Sequence, residues 1–387
     1  MPVANLTDSV WDVLSRVIDP EIHKPITDLG MVDKVEVDEA GFATVRVLLT
    51  ISGCPMRGTI EHDVHAALQG VEGLTGLDLD FGVMSDEQRA ELKTRLRGGV
   101  KEREIPFARA DNLTQVLLIA SGKGGVGKSS VTVNLAAALA ARGKNVGILD
   151  ADIYGHSIPP MLGIADADVT GIDDMILPVP VGGMRVISIG MLKQSRDQVI
   201  AWRGPILDRA LQQFLADVYW GDLDFLLVDL PPGTGDVAMS LGSKLPNAEV
   251  IVVTTPQQAA AEVAERAGTM ASMVDQRVIG VVENMAFLET TCPHCDQPHR
   301  IDLFGSGGGA RVAEALTLRL GYDVPLLAEV PLDAAMSDSG DSGVPLVSSD
   351  AVRPAAAALD GLAERLAGRR RGWWAESWRC TSGEGRL

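Results

Sequence analysis

Short runs of consecutive apolar residues recur in the second part of the chain and alternate with stretches of helical periodicity. Seven such runs occur, at 116–120, 146–149, 186–189, 225–228, 250–253, 278–282 and 326–330. Continuous rather than alternating hydrophobicity is typical of strands that are covered on both faces. The pattern therefore predicts an α/β domain over residues 113–368, built on a large and mostly parallel sheet with helices on each side.

The first hundred residues predict a second, smaller α/β unit. Apolar residues at helical spacing between Val10 and Ile18 predict a helix with Thr7 as its N-cap. The motif Asp19-Pro20-Glu21 ends this helix. The following pattern predicts a β-hairpin that turns at 39–41, a helix to about Gln69, a strand near 77–83 and a charged helix at 86–96.

Changes in composition mark the expected boundaries. The small unit covers residues 1–97, a charged linker with glycines covers 98–112, and an Arg- and Trp-rich tail covers 369–387. The tail holds three of the six tryptophans of the chain. We expect it to be disordered, and the alternative is an anchor at a membrane surface.

Charge and cysteine content exclude several classes of protein. The 387 residues carry a formal net charge of −18, which argues against non-specific nucleic-acid binding. The absence of long apolar runs and of a signal peptide predicts no stable membrane association. Four cysteines are too few for a disulfide scaffold, so we expect a reducing, cytoplasmic location.

A glycine-rich loop follows the first strand of the large domain and precedes a helical run. Residues 121–129 match the pattern G-x-x-x-x-G-K-[ST], in which backbone N–H groups surround phosphate oxygens, the lysine contacts the outer phosphates and the hydroxyl binds Mg²⁺. The large domain is therefore predicted to be a P-loop NTPase that binds ATP and Mg²⁺. The residues expected to contact the nucleotide are Gly122, Lys123, Gly124, Gly125, Val126, Gly127, Lys128, Ser129 and Ser130.

Three carboxylates are expected at the same edge of the sheet, because parallel strands end there. Asp229 ends the strand at 225–228 and is the predicted partner of the Mg²⁺ bound by Ser129. Asp152 is expected to orient the attacking water, and Asp150 to lie near the metal or the nucleotide. The predicted catalytic residues are Lys123, Lys128 and Asp152.

A second lysine, Lys123, gives the loop the form KGGxGK[ST]. This form resembles the deviant Walker A motif of the MinD/ParA/nitrogenase iron-protein class, whose early lysine contacts phosphates in the partner subunit. The resemblance implies a nucleotide-dependent homodimer. It also implies that Asn284 contacts adenine, which an amide can do as both donor and acceptor.

Cys292-Pro293-His294-Cys295 is a CxxC motif eight residues beyond Asn284. It could be a redox centre, although such centres belong to thioredoxin-like units. It could bind zinc together with His299 and His294. It could also be half of a four-thiolate iron–sulfur site, completed by a second subunit. We favour the shared cluster because Lys123 independently indicates a dimer.

Five motifs in this order, KGGVGKS, DADIYGHSIP, DLPPGTGD, VVENMA and CPHC, resemble the Mrp/ApbC family of iron–sulfur cluster carrier ATPases. The resemblance covers residues 111–368. It implies an ATP-hydrolysing homodimer that binds a [4Fe–4S] cluster at the paired Cys292 and Cys295 and exchanges it with donors and apo-proteins. The N-terminal unit resembles the small iron–sulfur assembly domain often fused to such proteins. This chain departs from the family at His156, where proline is usual, and at Ser130, where threonine is common.

Cys54 is a further candidate metal ligand. Pro55 suits the first position of a helix, which would make Cys54 the N-cap and lower its thiol pKa. The alternative is a small residue that fits the turn. A rival function for the whole chain is a ParA/MinD-like positioning switch whose CxxC binds structural zinc.

Overall fold

The computed structural model describes residues 3–51, 54–96, 104–109, 111–152, 155–192, 204–233, 236–274, 276–292 and 294–369. Residues 98–103 and 110 of the predicted linker, and all but the first residue of the predicted tail, lie outside these ranges. Within them the helices are α1 (Val3–Leu14), α2 (Arg57–Leu68), α3 (Asp86–Leu96), α4 (Lys128–Ala141), α5 (Ile158–Met161), α6 (Gly204–Ala216), α7 (Asp236–Lys244), α8 (Gln258–Met273), α9 (Gly308–Leu320), α10 (Ala334–Ser342), α11 (Leu346–Ser349) and α12 (Pro354–Ala367). The strands are β1 (Val32–Val37), β2 (Phe42–Leu49), β3 (Gly76–Val83), β4 (Gln115–Ser121), β5 (Val146–Asp150), β6 (Thr170–Ile172), β7 (Met175–Leu177), β8 (Val179–Val181), β9 (Met184–Ser188), β10 (Phe225–Asp229), β11 (Glu249–Thr254), β12 (Arg277–Asn284), β13 (Leu288–Thr291), β14 (Pro298–Ile301) and β15 (Leu326–Val330).

The large domain is built on an eight-stranded sheet in the order β15-β12-β11-β4-β10-β5-β9-β8. All neighbouring strands are parallel except the edge pair β8–β9, which is antiparallel. The seven predicted apolar runs form the seven parallel strands. The prediction of a large, mostly parallel sheet is therefore confirmed.

These strands appear in the sequence as continuous apolar runs because they carry buried apolar side chains on both faces of the sheet. Leu118 and Val228 face one core, which α6, α7, α8 and α9 cover. Leu117 and Leu227 face a second core, which α4 and α12 cover. All four side chains have no exposed surface. Burial at consecutive positions requires a helix layer on each side of the sheet.

The N-terminal unit has a three-stranded sheet in which β2 pairs with β1 antiparallel and with β3 parallel. The predicted β1–β2 hairpin is confirmed. The prediction that Thr7 caps the first helix is wrong, because α1 begins at Val3 and includes Thr7. The reason is that Leu6, Val10 and Leu14 lie four residues apart and bury one continuous helix face.

The hairpin formed by β6 and β7 of the large domain packs into the core of the N-terminal unit. Ile172, Met175 and Leu177 are at most 2% exposed and belong to the same apolar cluster as the helices and strands of that unit. Thr170 Oγ1 donates a hydrogen bond of 2.8 Å to Glu21 Oε1 at this boundary. The β6–β7 hairpin of the large domain therefore completes the core of the N-terminal unit.

Among the described residues, no helix is both long and apolar enough to cross a membrane.

Candidate nucleotide site and CxxC hairpin

The glycine-rich loop joins β4 to α4 and depends on backbone positions that other residues cannot occupy. Gly127 is the N-cap of α4 with φ +76°, and Gly125 has φ +82°. A Cβ on Gly122 would lie 2.3 Å from the carbonyl carbon of Val263 in α8. These constraints hold the loop close to α8 and aim the amino terminus of α4 into it, which is the arrangement that binds phosphate.

Asp229 lies at the centre of the site and has no exposed surface. Its Oδ2 atom is 2.6 Å from Lys128 Nζ and accepts a 2.6 Å hydrogen bond from Ser129 Oγ. Its Oδ1 atom accepts a 2.7 Å hydrogen bond from Thr132 Oγ1. The structure thus brings the predicted lysine, hydroxyl and carboxylate together. The fourth group, Thr132, was not predicted, although its position one helical turn after Lys128 points it to the same side of α4.

Asp150 and Asp152 lie beside this centre, at the end of β5. Asp150 Oδ2 accepts a 2.9 Å hydrogen bond from Ser188 Oγ, and Asp150 Oδ1 accepts one of 3.1 Å from the Asp152 amide. Burial, followed by the charge of Asp229, raises the pKa of Asp150 to about 8. Burial and the neighbouring Asp229 therefore disfavour the ionised form of Asp150 in this arrangement. Ser188, at the end of β9, is a further residue that the sequence analysis missed, because a lone serine after a strand carries no signal.

Asn284 and Lys123 contact neighbouring parts of the site. Asn284 Nδ2 donates a 2.9 Å hydrogen bond to the carbonyl of Val126, so the amide holds the glycine-rich loop from the end of β12. Its predicted contact with adenine stays a prediction. Lys123 Nζ donates a 3.1 Å hydrogen bond to Gln257 Oε1 at the start of α8. The Lys123 side chain is thus held at the exposed start of α8.

The CxxC motif lies at the tip of the β13–β14 hairpin, which begins four residues after Asn284. The Cys292 amide donates a 2.9 Å hydrogen bond to the carbonyl of Gln297, and the Asp296 amide donates one of 3.0 Å to the Cys292 carbonyl. Cys292 is half-buried and Cys295 is exposed. The backbone N–H of His294, then the Cys295 thiol and amide, lower the pKa of the Cys292 thiol. The tip therefore presents two thiols, one of them predisposed to ionise.

Coordination of zinc by one chain would require further ligands beside these thiols. Within the part of the chain that the structure describes, no three His, Cys, Asp or Glu side chains are grouped as a metal site. His299 lies in β14 opposite Thr290. A metal ion bound by Cys292 and Cys295 would therefore need further ligands from outside the β13–β14 hairpin of the same chain.

Cys54 lies next to Asp19 and Glu21 of the N-terminal unit, near its boundary with the large domain. The prediction that it caps α2 is wrong, because the N-cap is Met56. The prediction of a lowered thiol pKa is wrong as well. Burial, with the charges of Glu21 and Asp19, raises the pKa of Cys54 above its usual value. Its role as a metal ligand stays a prediction.

Comparison with known proteins agrees with this geometry. A family model described as NUBPL iron-transfer P-loop NTPase matches residues 112–367, and one described as iron–sulfur cluster assembly protein matches residues 7–76. The iron–sulfur cluster carrier protein of Mycobacterium tuberculosis is 53% identical over 368 residues, which are 95% of each chain. That of Deinococcus radiodurans is 41% identical over 364 residues, which are 94% of this chain and 95% of its own.

A solved structure supports the same relationship. The nucleotide-binding protein of Archaeoglobus fulgidus in complex with ADP is 36% identical and superposes with a TM-score of 0.51, covering 62% of this chain and 91% of its own. The resemblance stated from the motifs is confirmed, and the rival positioning switch is not favoured. The chain therefore belongs to the NUBPL iron-transfer P-loop NTPase family.

Proposed function

We propose that this protein is an ATP-hydrolysing carrier that binds a [4Fe–4S] cluster between two copies of the chain and transfers it to apo-proteins. The observation that carries the proposal is the position of Cys292 and Cys295, at the tip of the β13–β14 hairpin, which begins four residues after Asn284 at the end of β12. The names of the 53% and 41% identical relatives support it. The reducing, cytoplasmic location expected from the cysteine content suits a labile cluster.

The proposed binding and hydrolysis of ATP depend on the buried groups around Asp229. Ser129 Oγ and Asp229 Oδ2 are hard oxygen donors 2.6 Å apart, and both suit Mg²⁺. Bound there, Mg²⁺ would neutralise phosphate charge. Lys128, which is 6% exposed, would exchange the Asp229 carboxylate for the outer phosphates. Asp152 would accept a hydrogen bond from the attacking water and orient it.

Binding of the proposed [4Fe–4S] cluster requires two copies of the chain. A [4Fe–4S] cluster takes four thiolates, and each hairpin tip offers two. Lys123 supports the same dimer, because its ammonium group lies in an exposed hydrogen bond to Gln257, where a partner subunit could reach it. In the proposed dimer each Lys123 contacts nucleotide bound by the partner. ATP binding and hydrolysis would then change how the two hairpins face each other.

Anaerobic reconstitution with iron and sulfide tests the cluster. The wild-type chain should bind about four irons per dimer and gain the broad visible absorption of an iron–sulfur protein. Cys292→Ala/Cys295→Ala should lose both, whereas the matched control Cys380→Ala should keep both. Zinc without sulfide-dependent colour, or colour retained in the double variant, would contradict the proposal.

Transfer to an apo-enzyme that needs a [4Fe–4S] cluster tests the coupling to nucleotide. Loaded wild-type protein should activate the apo-enzyme at a rate that changes when Mg-ATP is added. Lys128→Ala should load normally but lose this response, and Lys123→Ala should also lose nucleotide-dependent dimerisation in sedimentation. Transfer rates that are indifferent to nucleotide in the wild type would refute the coupling while leaving the cluster site intact.

A further inference from the structure

The β13–β14 hairpin that carries the CxxC motif is mostly exposed. Of its described positions, 289–291, 294–297 and 299–300 are exposed, whereas 288, 292 and 301 are half-buried. A two-stranded hairpin that no further layer covers is marginally stable in water. The direction in which the tip presents its two thiols therefore depends on the contacts that the hairpin makes with the rest of the domain.

Arg300 in β14 makes such contacts with its side chain. Its guanidinium carbon lies 3.8 Å from the centre of the Phe287 ring, which is within the distance of a cation–π interaction. Its Nη2 atom lies 3.8 Å from Glu329 Oε1 in β15, and its Nε donates a 3.1 Å hydrogen bond to Asp302 Oδ1. Arg300 thus connects the hairpin to an aromatic ring and to a carboxylate of the large sheet.

Phe287 is itself held at the end of β15. The Leu332 amide donates a 2.7 Å hydrogen bond to the Phe287 carbonyl, and the Ala286 amide donates one of 2.9 Å to the Val330 carbonyl. Phe287 also follows Asn284 by three residues, and the Asn284 side chain holds the glycine-rich loop. The ring beneath Arg300 therefore belongs to the short segment that connects the nucleotide site to the hairpin.

The positive charge of Arg300 lies among carboxylates. Beside Asp302 and Glu329, it acts on Glu283, which is 1% exposed at the end of β12. Burial raises the pKa of Glu283, and the charge of Arg300 is among the groups that oppose this shift. A neutral residue at position 300 would leave these acidic groups without that charge. Lysine would keep the charge but lose the flat surface that stacks on Phe287.

We propose that Arg300 is a positioning residue for the thiol pair, because its contact with Phe287 holds the hairpin in one direction. We call this contact the Arg300 latch. With the latch formed, Cys292 and Cys295 keep a fixed direction relative to Asn284 and the glycine-rich loop, so nucleotide binding there acts on the thiols. The consequence for cluster transfer rests on the proposed function, whereas the latch is a property of the chain without cluster.

Hydrogen exchange followed by mass spectrometry on the full chain, without nucleotide or cluster, tests the latch. In Arg300→Ala, amides of β13 and β14 should exchange about fivefold faster, which is the change in equilibrium that one cation–π contact provides. Phe287→Leu should also speed their exchange, and the double variant should exchange no faster than Arg300→Ala, because both substitutions remove the same contact. The matched control Arg319→Ala, which removes an exposed arginine from the last turn of α9, should exchange like the wild type.

A second measurement distinguishes positioning from a simple loss of stability. Mg-ADP should change the rate at which iodoacetamide alkylates Cys292 in the wild type about fivefold or more, which is the lower end of ordinary coupling between two sites. Arg300→Gln should bind Mg-ADP as the wild type does but lose this change, and Arg300→Lys should recover part of it. Light scattering verifies that Mg-ADP leaves the oligomeric state unchanged, so that the effect arises within one chain.

Three results would overturn the proposal. The first is unchanged exchange of β13 and β14 in both Arg300→Ala and Phe287→Leu. The second is a double variant whose effect is the product of the two single effects, because the two side chains would then act independently. The third is alkylation of Cys292 that ignores Mg-ADP in the wild type, or that still responds to it in Arg300→Gln. None of these results bears on whether the cluster binds, which the reconstitution with iron and sulfide decides. Circular dichroism verifies that each variant folds.

Discussion

Replacing Thr132 by valine isolates one interaction of the buried carboxylate at the nucleotide site. Thr132 has no exposed surface, and its Oγ1 atom lies 2.7 Å from Asp229 Oδ1 and 3.0 Å from the carbonyl of Lys128. A hydroxyl has one proton, and the shorter contact identifies Asp229 as its acceptor. Valine keeps the branched shape and removes this donor. Asp229 then retains Lys128 and Ser129 as partners.

The expected loss of stability follows from the chemistry of that hydrogen bond. A hydrogen bond to a charged group is worth about 1.5–3 kcal/mol, and valine leaves no cavity, so we expect a loss of about 2 kcal/mol. For an ATPase domain of this size, that lowers Tm by about 4–8 °C. Thr132→Ser is the matched control, because it keeps the hydroxyl and removes a methyl worth about 0.8 kcal/mol. The expected order of stability is wild type, then serine, then valine.

The measurement is calorimetric unfolding in EDTA without nucleotide, so that no ligand replaces the missing donor. Fluorescence of Trp220, which is 3% exposed in the core of the large domain, reports unfolding of that domain. If the valine variant is as stable as the wild type, or more stable than the serine variant, burial of the methyl outweighs the hydrogen bond. The hydroxyl would then have no stabilising role at Asp229.

Three further predictions concern other parts of the molecule. Burial and the neighbouring Asp19 raise the pKa of Glu21, so ionisation of Glu21 lowers the stability of the fold as the pH rises through that pKa. Glu21→Gln should therefore be more stable than the wild type between pH 4 and pH 7 in thermal melts. It should also speed iodoacetamide alkylation of Cys54, because it removes a nearby negative charge. Equal pH profiles, or unchanged alkylation, would contradict this. Gly122→Ala should abolish nucleotide binding in calorimetric titration because of its contact with α8, whereas the control Gly361→Ala in α12, whose Cβ would meet nothing within 4 Å, should bind normally. Met175→Ala should cost about 2–5 kcal/mol and speed hydrogen exchange in β2 of the N-terminal unit, and unchanged exchange there would mean that the hairpin does not complete that core.

The glycine-rich loop shows how far local pattern alone carries a prediction. Its glycines, Lys128 and Ser129 have fixed spacing because the backbone of a single loop surrounds the phosphates. A strand before the loop and a helix after it were sufficient to place it in a parallel sheet. Asp229 was predicted for the same reason, since parallel strands end at one edge. Thr132 and Ser188 were missed, because their contacts with carboxylates depend on which side chains the packed sheet brings together.

Cys54 shows where local reasoning failed. A cysteine before proline suggested a helix N-cap and a lowered thiol pKa. The helix begins later, at Arg57, and the thiol lies against Asp19 and Glu21, which are distant from it in sequence. The pKa depends on burial and on nearby charge rather than on the tripeptide. The short strands β6, β7, β13 and β14 were missed as well, because three or four residues carry too little periodicity.

The sequence by itself determined the class of fold, the nucleotide loop and the two thiols of the CxxC motif. These features are encoded by residues that are adjacent along the chain or separated by one strand or turn, so their geometry follows from local backbone physics. The tertiary structure alone decided the environment of each group. It buried Asp150 and raised its pKa, placed the CxxC at a hairpin tip, inserted the β6–β7 hairpin into the N-terminal core and brought Arg300 to Phe287. Burial and long-range charge depend on the whole packed chain, and no local pattern specifies them.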